Sequence, residues 1–319
     1  MPAARRMEFG IQTAPQHVTY PELLAVWQLV EREGFDHAWT FDHFIPIFSN
    51  PLGPCLEGWT TLTALMAQVP RLRAGTLVTG NSYRHPALLA NMAATLDVIT
   101  GGRLEMGIGA GWWEMEYRAY GFDFPPVAQR IHALEESVQI MKALWTEPRA
   151  NFAGRHYTIT DALCEPKPVQ KPHIPLWVGG AGPKLTLRVV ARHADGWNTF
   201  LAPREDYQLL LGALEQHCEK AGRDPAVIRK SLAAPLVIDT DPGKLDAKLG
   251  NVARQRNTTP EAVRARTLVG TPSDIAAQLL GLADQGVDHV ILSVRAPYPD
   301  DDLALFAREV IPRVRAAGH

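Results

Sequence analysis

The chain of 319 residues has little cysteine and no arrangement of it that spacing would explain. Cys55, Cys164 and Cys218 are odd in number, far apart and never set as C-x-x-C, which argues against a disulfide scaffold and a structural zinc site. Reduced, ordinary thiols suit a cytoplasmic location. The opening MPAARR has two arginines but no apolar run behind it, so no secretory signal is expected. No apolar stretch approaches the ~18 residues that a membrane span needs. An excess of either charge is lacking too: 32 Lys and Arg face 34 Asp and Glu, with no basic face, which argues against nucleic acid as a partner. Nucleotide fingerprints fail. Gly107-x-Gly109 meets Trp112 where G-x-G-x-x-G requires glycine, Gly180-x-Gly182 meets Leu185, and no G-x-x-x-x-G-K-[ST] occurs. With no H-x-H and no H-E-x-x-H, a barrel metallohydrolase is disfavoured and no metal ligand is expected.

What is present is a large apolar complement, 46% of residues, enough for a substantial core. Eight runs read as strands: MEFGIQ, HAWTF, RAGTLVTG, RLEMGIG, PLWVGG, DGWNTF, SLAAPLVID and DHVILSV. Nearly all are short, apolar on both faces and separated by helical patterns, as in a parallel sheet covered on both sides. Thr19 and Glu22 predict a capping box ahead of Leu23, Trp27 and Val30, with Gly34 as the stop. Ile131, Leu134, Val138, Met141 and Trp145 predict one core-facing helical stripe, and Thr271-Pro272-x-Asp274 predicts another helix start. Eight βα units over 1–319 predict one α/β domain, a (β/α)8 TIM barrel. Two excursions interrupt the repeat, after the fourth and seventh strand units. The first runs from Trp145 to Leu176 and includes the hairpin-like NFAGRHYTI; the second lies around DTDPGKLDAKLGNVARQRNTT. Both are expected to shape the site's mouth.

Barrel chemistry sits at the carboxyl ends of the strands. That rule selects Gln12, Asp42 with His43, Thr79 to Asn81, Ala110 to Trp112, Gly179 to Gly182, Trp197 to Thr199, and Ser293 to Arg295. A carboxylate beside an imidazole, as in Asp42-His43, can bind a cofactor ring and manage a proton near neutral pH. The alternative is that Asp42 caps the next element and His43 makes a structural hydrogen bond. Glycines at 107, 109 and 111 let a flat ligand approach the backbone, and Trp112 and Trp113 offer aromatic walls. In WVGGAGPKLTLR, Pro183 is expected in the first turn of a helix whose N–H groups form an anion site, with Lys184 and Arg188 as possible aids. A tight βα turn explains the same glycines without a ligand. Arg295 suits an anionic group or, more simply, a local carboxylate.

FDH at the second strand end, GTLVTG-x-x-x-RHPALLA, GRLEMGIGAGWWEMEYRAYG and PKPVQKPHIPLWVGGAGPKLTLRVVARHADGWN follow one another in order. Together they resemble the bacterial luciferase-like monooxygenase superfamily, and most closely the branch that uses the deazaflavin coenzyme F420. The resemblance implies a (β/α)8 barrel with an insertion and a cofactor, F420 or FMN, in its mouth. It places Asp42 and His43 beside the deazaflavin. It makes Thr76-Leu77 the third-strand bulge where relatives carry a non-prolyl cis peptide, sets Ala110, Gly111 and Trp112 near the ring, and sets Gly179, Gly180, Ala181 and Gly182 near the cofactor phosphate. One position departs. Some F420-dependent dehydrogenases have a glutamate proton donor where this chain has Trp112, and an indole is no acid at neutral pH. His43 is then the proton-handling residue.

The resemblance therefore implies an F420-dependent oxidoreductase that passes hydride between the deazaflavin C5 and a small organic substrate. Its alternatives are a two-component monooxygenase, fed reduced FMN by a separate reductase, and a non-catalytic flavin-binding barrel. A homodimer is also implied.

Overall fold

The computed structural model describes residues 6–318. Its strands are β1 (Glu8–Thr13), β2 (His37–Thr40), β3 (Arg73–Thr76), β4 (Thr79–Gly80), β5 (Leu104–Gly109), β6 (Ala150–Ala153), β7 (Thr158–Ala162), β8 (Leu176–Gly179), β9 (Gly196–Phe200), β10 (Arg229–Ala234), β11 (Leu236–Ile238), β12 (Leu268–Gly270) and β13 (His289–Val294). Eight of them, β1, β2, β3, β5, β8, β9, β10 and β13, pair in parallel in that order, and β13 pairs back onto β1. The result is a closed (β/α)8 barrel built from the eight expected runs.

Alternation along β5 explains how one strand serves two cores. Leu104, Met106 and Ile108 are fully buried in the main core, while Glu105 between them bonds the Trp177 indole N–H at 2.6 Å and Arg73. Trp39, Leu77, Trp177, Ala233 and Ile291 form a separate cluster, with Val78 packed against it. These side chains fill the barrel, so it is a packed plug and not a pore.

The outer layer comprises α1 (Tyr20–Arg32), α2 (Gly58–Met66), α3 (Pro86–Thr100), α4 (Glu114–Ala119), α5 (Val127–Thr146), α6 (Thr186–His193), α7 (Arg204–Ala221), α8 (Pro242–Gln255), α9 (Pro260–Arg264), α10 (Pro272–Ala283), α11 (Asp300–Leu305) and α12 (Ile311–Ala316). The capping signals act as expected. The Glu22 carboxylate accepts from the Thr19 N–H at 2.8 Å, and α1 stops before Gly34, whose φ is +84°. Thr271 and Asp274 cap α10 in the same way. All five residues of the α5 stripe are buried, each contributing about 1.5–3 kcal/mol of apolar transfer. Among the described residues, no helix is long and apolar enough to cross a membrane.

Two of the eight runs end sooner than their apolar patterns suggest. RAGTLVTG splits into β3 and β4 at a cis Leu77–Val78 peptide. SLAAPLVID splits at Pro235, which has no N–H for the ladder, and β11 leaves the barrel to pair with β12. Between β5 and β8 lies the antiparallel β6–β7 hairpin, and between β10 and β13 lies the β11–α8–α9–β12 segment with its own small apolar cluster.

Candidate active site at the carboxyl ends of the strands

After β2 the chain continues through Phe41, Asp42 and His43 into the barrel mouth. Asp42 is buried. Its carboxylate accepts from Arg84 at 2.7 and 3.1 Å and from the Gly80 N–H at 3.2 Å. Burial pushes the Asp42 carboxyl up while the facing guanidinium pulls it back, and the two-pronged geometry is that of an ion pair. Arg84 also bonds Glu57, the residue that caps α2. Asp42 therefore locks the second strand end to the turn after β4, and its oxygens face protein donors.

His43 is placed differently. Its Nδ1 lies 2.8 Å from Oε2 of Glu116, while Nε2 has no protein partner among the described residues. Glu116 is wholly buried and accepts four hydrogen bonds: from His43, from the Tyr83 hydroxyl, and from the N–H groups of Phe44 (2.6 Å) and Ile45 (3.0 Å). Burial acts to raise the Glu116 carboxyl, but the hydrogen bonds from His43, Tyr83 and Phe44 outweigh it and hold the group below the usual carboxylate range. An ionised Glu116 accepts the Nδ1 proton, and in the neutral imidazole Nε2 then carries the lone pair. Burial and the same carboxylate push Tyr83 well above its ordinary value, leaving it a neutral donor. The Cys55 thiol, pushed up to about 12 by burial, Glu116 and Asp42, donates weakly to the His43 carbonyl at 3.4 Å and is no nucleophile.

The turn that delivers Glu116 depends on Gly111. Its φ is +76°, and a Cβ there would lie 1.8 Å from the Tyr117 hydroxyl oxygen. The turn starts α4 so that Glu116 and Tyr117 face inward. Glu114 and Arg118 pair outward at 2.6 Å. Trp112 is 62% exposed and Trp113 half-buried; their rings stand 6.1 and 6.0 Å from the His43 ring and 6.2 Å from each other.

Val78 forms the floor of the mouth. A Cβ on Gly109 or Gly179 would come within 2.7 or 2.8 Å of its methyl groups, so the bare ends of β5 and β8 let it sit between them. Gln12 holds the bulge by donating to the Leu77 carbonyl at 2.7 Å, and the Thr76 hydroxyl bonds that of Thr79. The expected cis peptide is Leu77–Val78, at the end of the Thr76-Leu77 pair.

Gly180 and Ala181 are exposed at the end of β8, and the Gly180 carbonyl accepts from the Trp197 indole at 2.8 Å. Here three expectations need correction. The helix begins at Thr186 and not at Pro183, because residues 183–185 form a turn. Arg188 points away to Glu135, at 3.0 Å, and so cannot assist an anion at the turn. Arg295 has no carboxylate partner among the described residues; its guanidinium lies 3.5 Å over the Phe48 ring.

Asp42, His43, Thr76, Leu77, Ala110, Gly111, Trp112 and Gly179 to Gly182 thus lie at carboxyl ends of barrel strands. Sequence reasoning missed Glu116, Tyr83 and Arg84. Glu116 lies 73 positions from His43 in the chain. Its one signal was helical phase: it shares a face with Trp113 and Tyr120, opposite the Glu114–Arg118 pair.

Comparison with known proteins agrees with this fold. The luciferase-like monooxygenase family profile matches residues 7–256. The F420-dependent glucose-6-phosphate dehydrogenase of Kineococcus radiotolerans is 30% identical, over 89% of this chain and 90% of its own. The enzyme of that name from Microbacterium testaceum is 28% identical, over 97% and 98%. An F420-dependent secondary alcohol dehydrogenase, solved with an F420–acetone adduct, superposes with a TM-score of 0.84 at 22% identity, over 97% and 99%. The EDTA monooxygenase of Chelativorans also superposes at 0.84, with 15% identity over 98% and 94% of the chains, which speaks for the fold alone. The chain belongs to the luciferase-like monooxygenase family.

Proposed function

We propose that this protein is an F420-dependent oxidoreductase that moves hydride between the deazaflavin and a hydroxyl-bearing carbon of a small organic substrate. The observation that carries the reading is the His43–Glu116 pair, a buried ionised carboxylate that orients an imidazole whose other nitrogen has no protein partner among the described residues. The names of the relatives and the resemblance of the motifs supply the cofactor. The mouth suits a flat, tricyclic ring: Val78 and the bare ends of β5 and β8 make a floor, and Trp112 and Trp113 make a wall. Ala181 and Gly182 offer backbone for a phosphate at the end of β8.

When bound, the deazaflavin supplies a carbon centre, C5, that exchanges hydride and does not readily activate oxygen. The remaining work belongs to the chain. His43 Nε2 takes the hydroxyl proton as the carbon is oxidised, and returns it in the reverse direction. Glu116 fixes the tautomer that makes this possible and stabilises the imidazolium that forms, and Tyr83 with the Phe44 and Ile45 amides keeps Glu116 in place. Asp42, tied to Arg84, holds the segment that carries His43. Trp112 shields the ring's edge from water and plays no acid role.

Purified protein offered F420 and FMN separately tests the assignment. Binding of F420 in preference to FMN, with alcohol-dependent reduction that His43→Ala abolishes, is expected. Tight FMN binding without F420 binding overturns it.

A further inference from the structure

At the opposite end of the barrel three neighbouring strands begin with ionisable side chains that converge. Glu8 opens β1, His37 opens β2 and His289 opens β13. The register sets Glu8 beside His289, and His37 beside Gly10. A Cβ on Gly10 would lie 3.0 Å from the His37 Cβ and 3.1 Å from His289 Nε2, so the missing side chain makes room for both rings. Their centroids are 4.4 Å apart, and Trp39 and Trp177 wall His289 at 5.9 and 5.7 Å. Both histidines are fully buried. Among the described residues, neither nitrogen of His289 has a hydrogen-bond partner, nor has Nδ1 of His37. His37 Nε2 meets the Glu8 carboxylate at 2.7 Å. A neutral imidazole carries one donor and one acceptor, and native proteins rarely bury either without a partner.

We propose that Glu8, His37 and His289 hold a divalent transition-metal ion of the zinc class at the base of the barrel, remote from the mouth. One ligand atom from each lies within 4.8 Å of the other two. Two imidazoles and a carboxylate are a nitrogen and oxygen set that zinc accepts, with a water completing a tetrahedron. Metal–ligand bonds of about 2.0–2.2 Å separate ligand atoms by roughly 3.4 Å, so the Glu8–His37 contact opens slightly as the ion enters. The Glu8 side chain is 30% exposed at the lower rim, which leaves it room to make that move. Arg229 now bonds Glu8, and it keeps a carboxylate if Glu8 turns, because Asp288 lies 3.3 Å from it. An ion here pins the first, second and last barrel strands together and stabilises the closed sheet by binding the folded state. The expectation of no metal considered carboxyl ends and local spacing, whereas these ligands meet only across strands.

The test uses untagged protein, stripped with EDTA and titrated with Co2+ and Zn2+. The expected result is one ion per chain after gel filtration, a Co2+ ligand-field spectrum of four-coordinate type, and a higher melting temperature with Zn2+. Glu8→Gln and His289→Gln should each weaken binding at least ~10-fold, with F420 binding at the mouth unchanged. If His289→Gln does not fold, Glu8→Gln carries the test, since its side chain lies at the rim. Failure of the stripped wild type to take up an ion at that stoichiometry, or wild-type affinity in the folded variants, overturns the proposal.

Discussion

Replacing Glu116 by glutamine removes a charge from the centre of the His43 network while keeping its shape. The amide oxygen can still accept from Phe44 and Ile45, now at 2.6 and 3.0 Å. The amide NH2 must then face His43 Nδ1 and Tyr83. Tyr83 adjusts by turning its hydroxyl, but Nδ1 can satisfy an N–H donor only by giving up its own proton. The imidazole switches tautomer, Nε2 becomes a donor, and the base is gone. General base catalysis contributes roughly 10²–10⁴-fold, so kcat should fall by that order, or about 3–5 kcal/mol at 1.36 kcal/mol per tenfold. Exchange of two charge-assisted bonds for neutral ones should also lower stability by about 2–3 kcal/mol. F420 affinity should change little, because Glu116 lies behind His43. Turnover at saturating F420 measures the first effect, urea unfolding the second, and nitrogen NMR of the imidazole the tautomer itself. Turnover within about twofold of wild type, or a variant imidazole still protonated at Nδ1, would refute the reasoning.

Other expectations follow from the same geometry. Glu116 lies below its ordinary value of 4.5, so its stabilisation is full above that pH and lost as pH falls through the folded-state value; Glu116→Gln should flatten the acid limb of stability against pH, read by circular dichroism. Arg84→Met leaves the Asp42 carboxylate buried without its cation and should cost about 3–5 kcal/mol in chemical denaturation. Gly111→Ala puts a Cβ 1.8 Å from the Tyr117 hydroxyl at a φ of +76°, and should lower stability by at least ~1–3 kcal/mol together with turnover. Trp112→Ala, at a residue 62% exposed, should leave the melting temperature unchanged yet weaken F420 binding about 3–10-fold by equilibrium titration.

Particular residues show how far a linear reading reaches. The eight barrel strands were legible because a strand buried on both faces needs a short apolar run, and LEMGIG or HVILSV states that requirement locally. Caps at Thr19 and Thr271 were legible for the same reason: donor and acceptor lie three residues apart. RAGTLVTG and SLAAPLVID were read too long. The Leu77–Val78 bulge and the departure of β11 answer to neighbours elsewhere in the chain: Gln12 holds the first, and β12 pairs with the second.

The candidate site divides along the same line. Asp42, His43 and the glycines at 111 and 179 were selected because barrel topology puts strand ends in one mouth, and the sequence by itself determined both that topology and the residues at the ends. What His43 can do was decided by tertiary structure alone. Glu116 reaches it from 73 positions away, and Arg84 takes up the Asp42 carboxylate from 42 away. Hydrogen bonds and charge act over a few ångströms of space whatever the separation along the chain. Those distances exist only once the barrel closes.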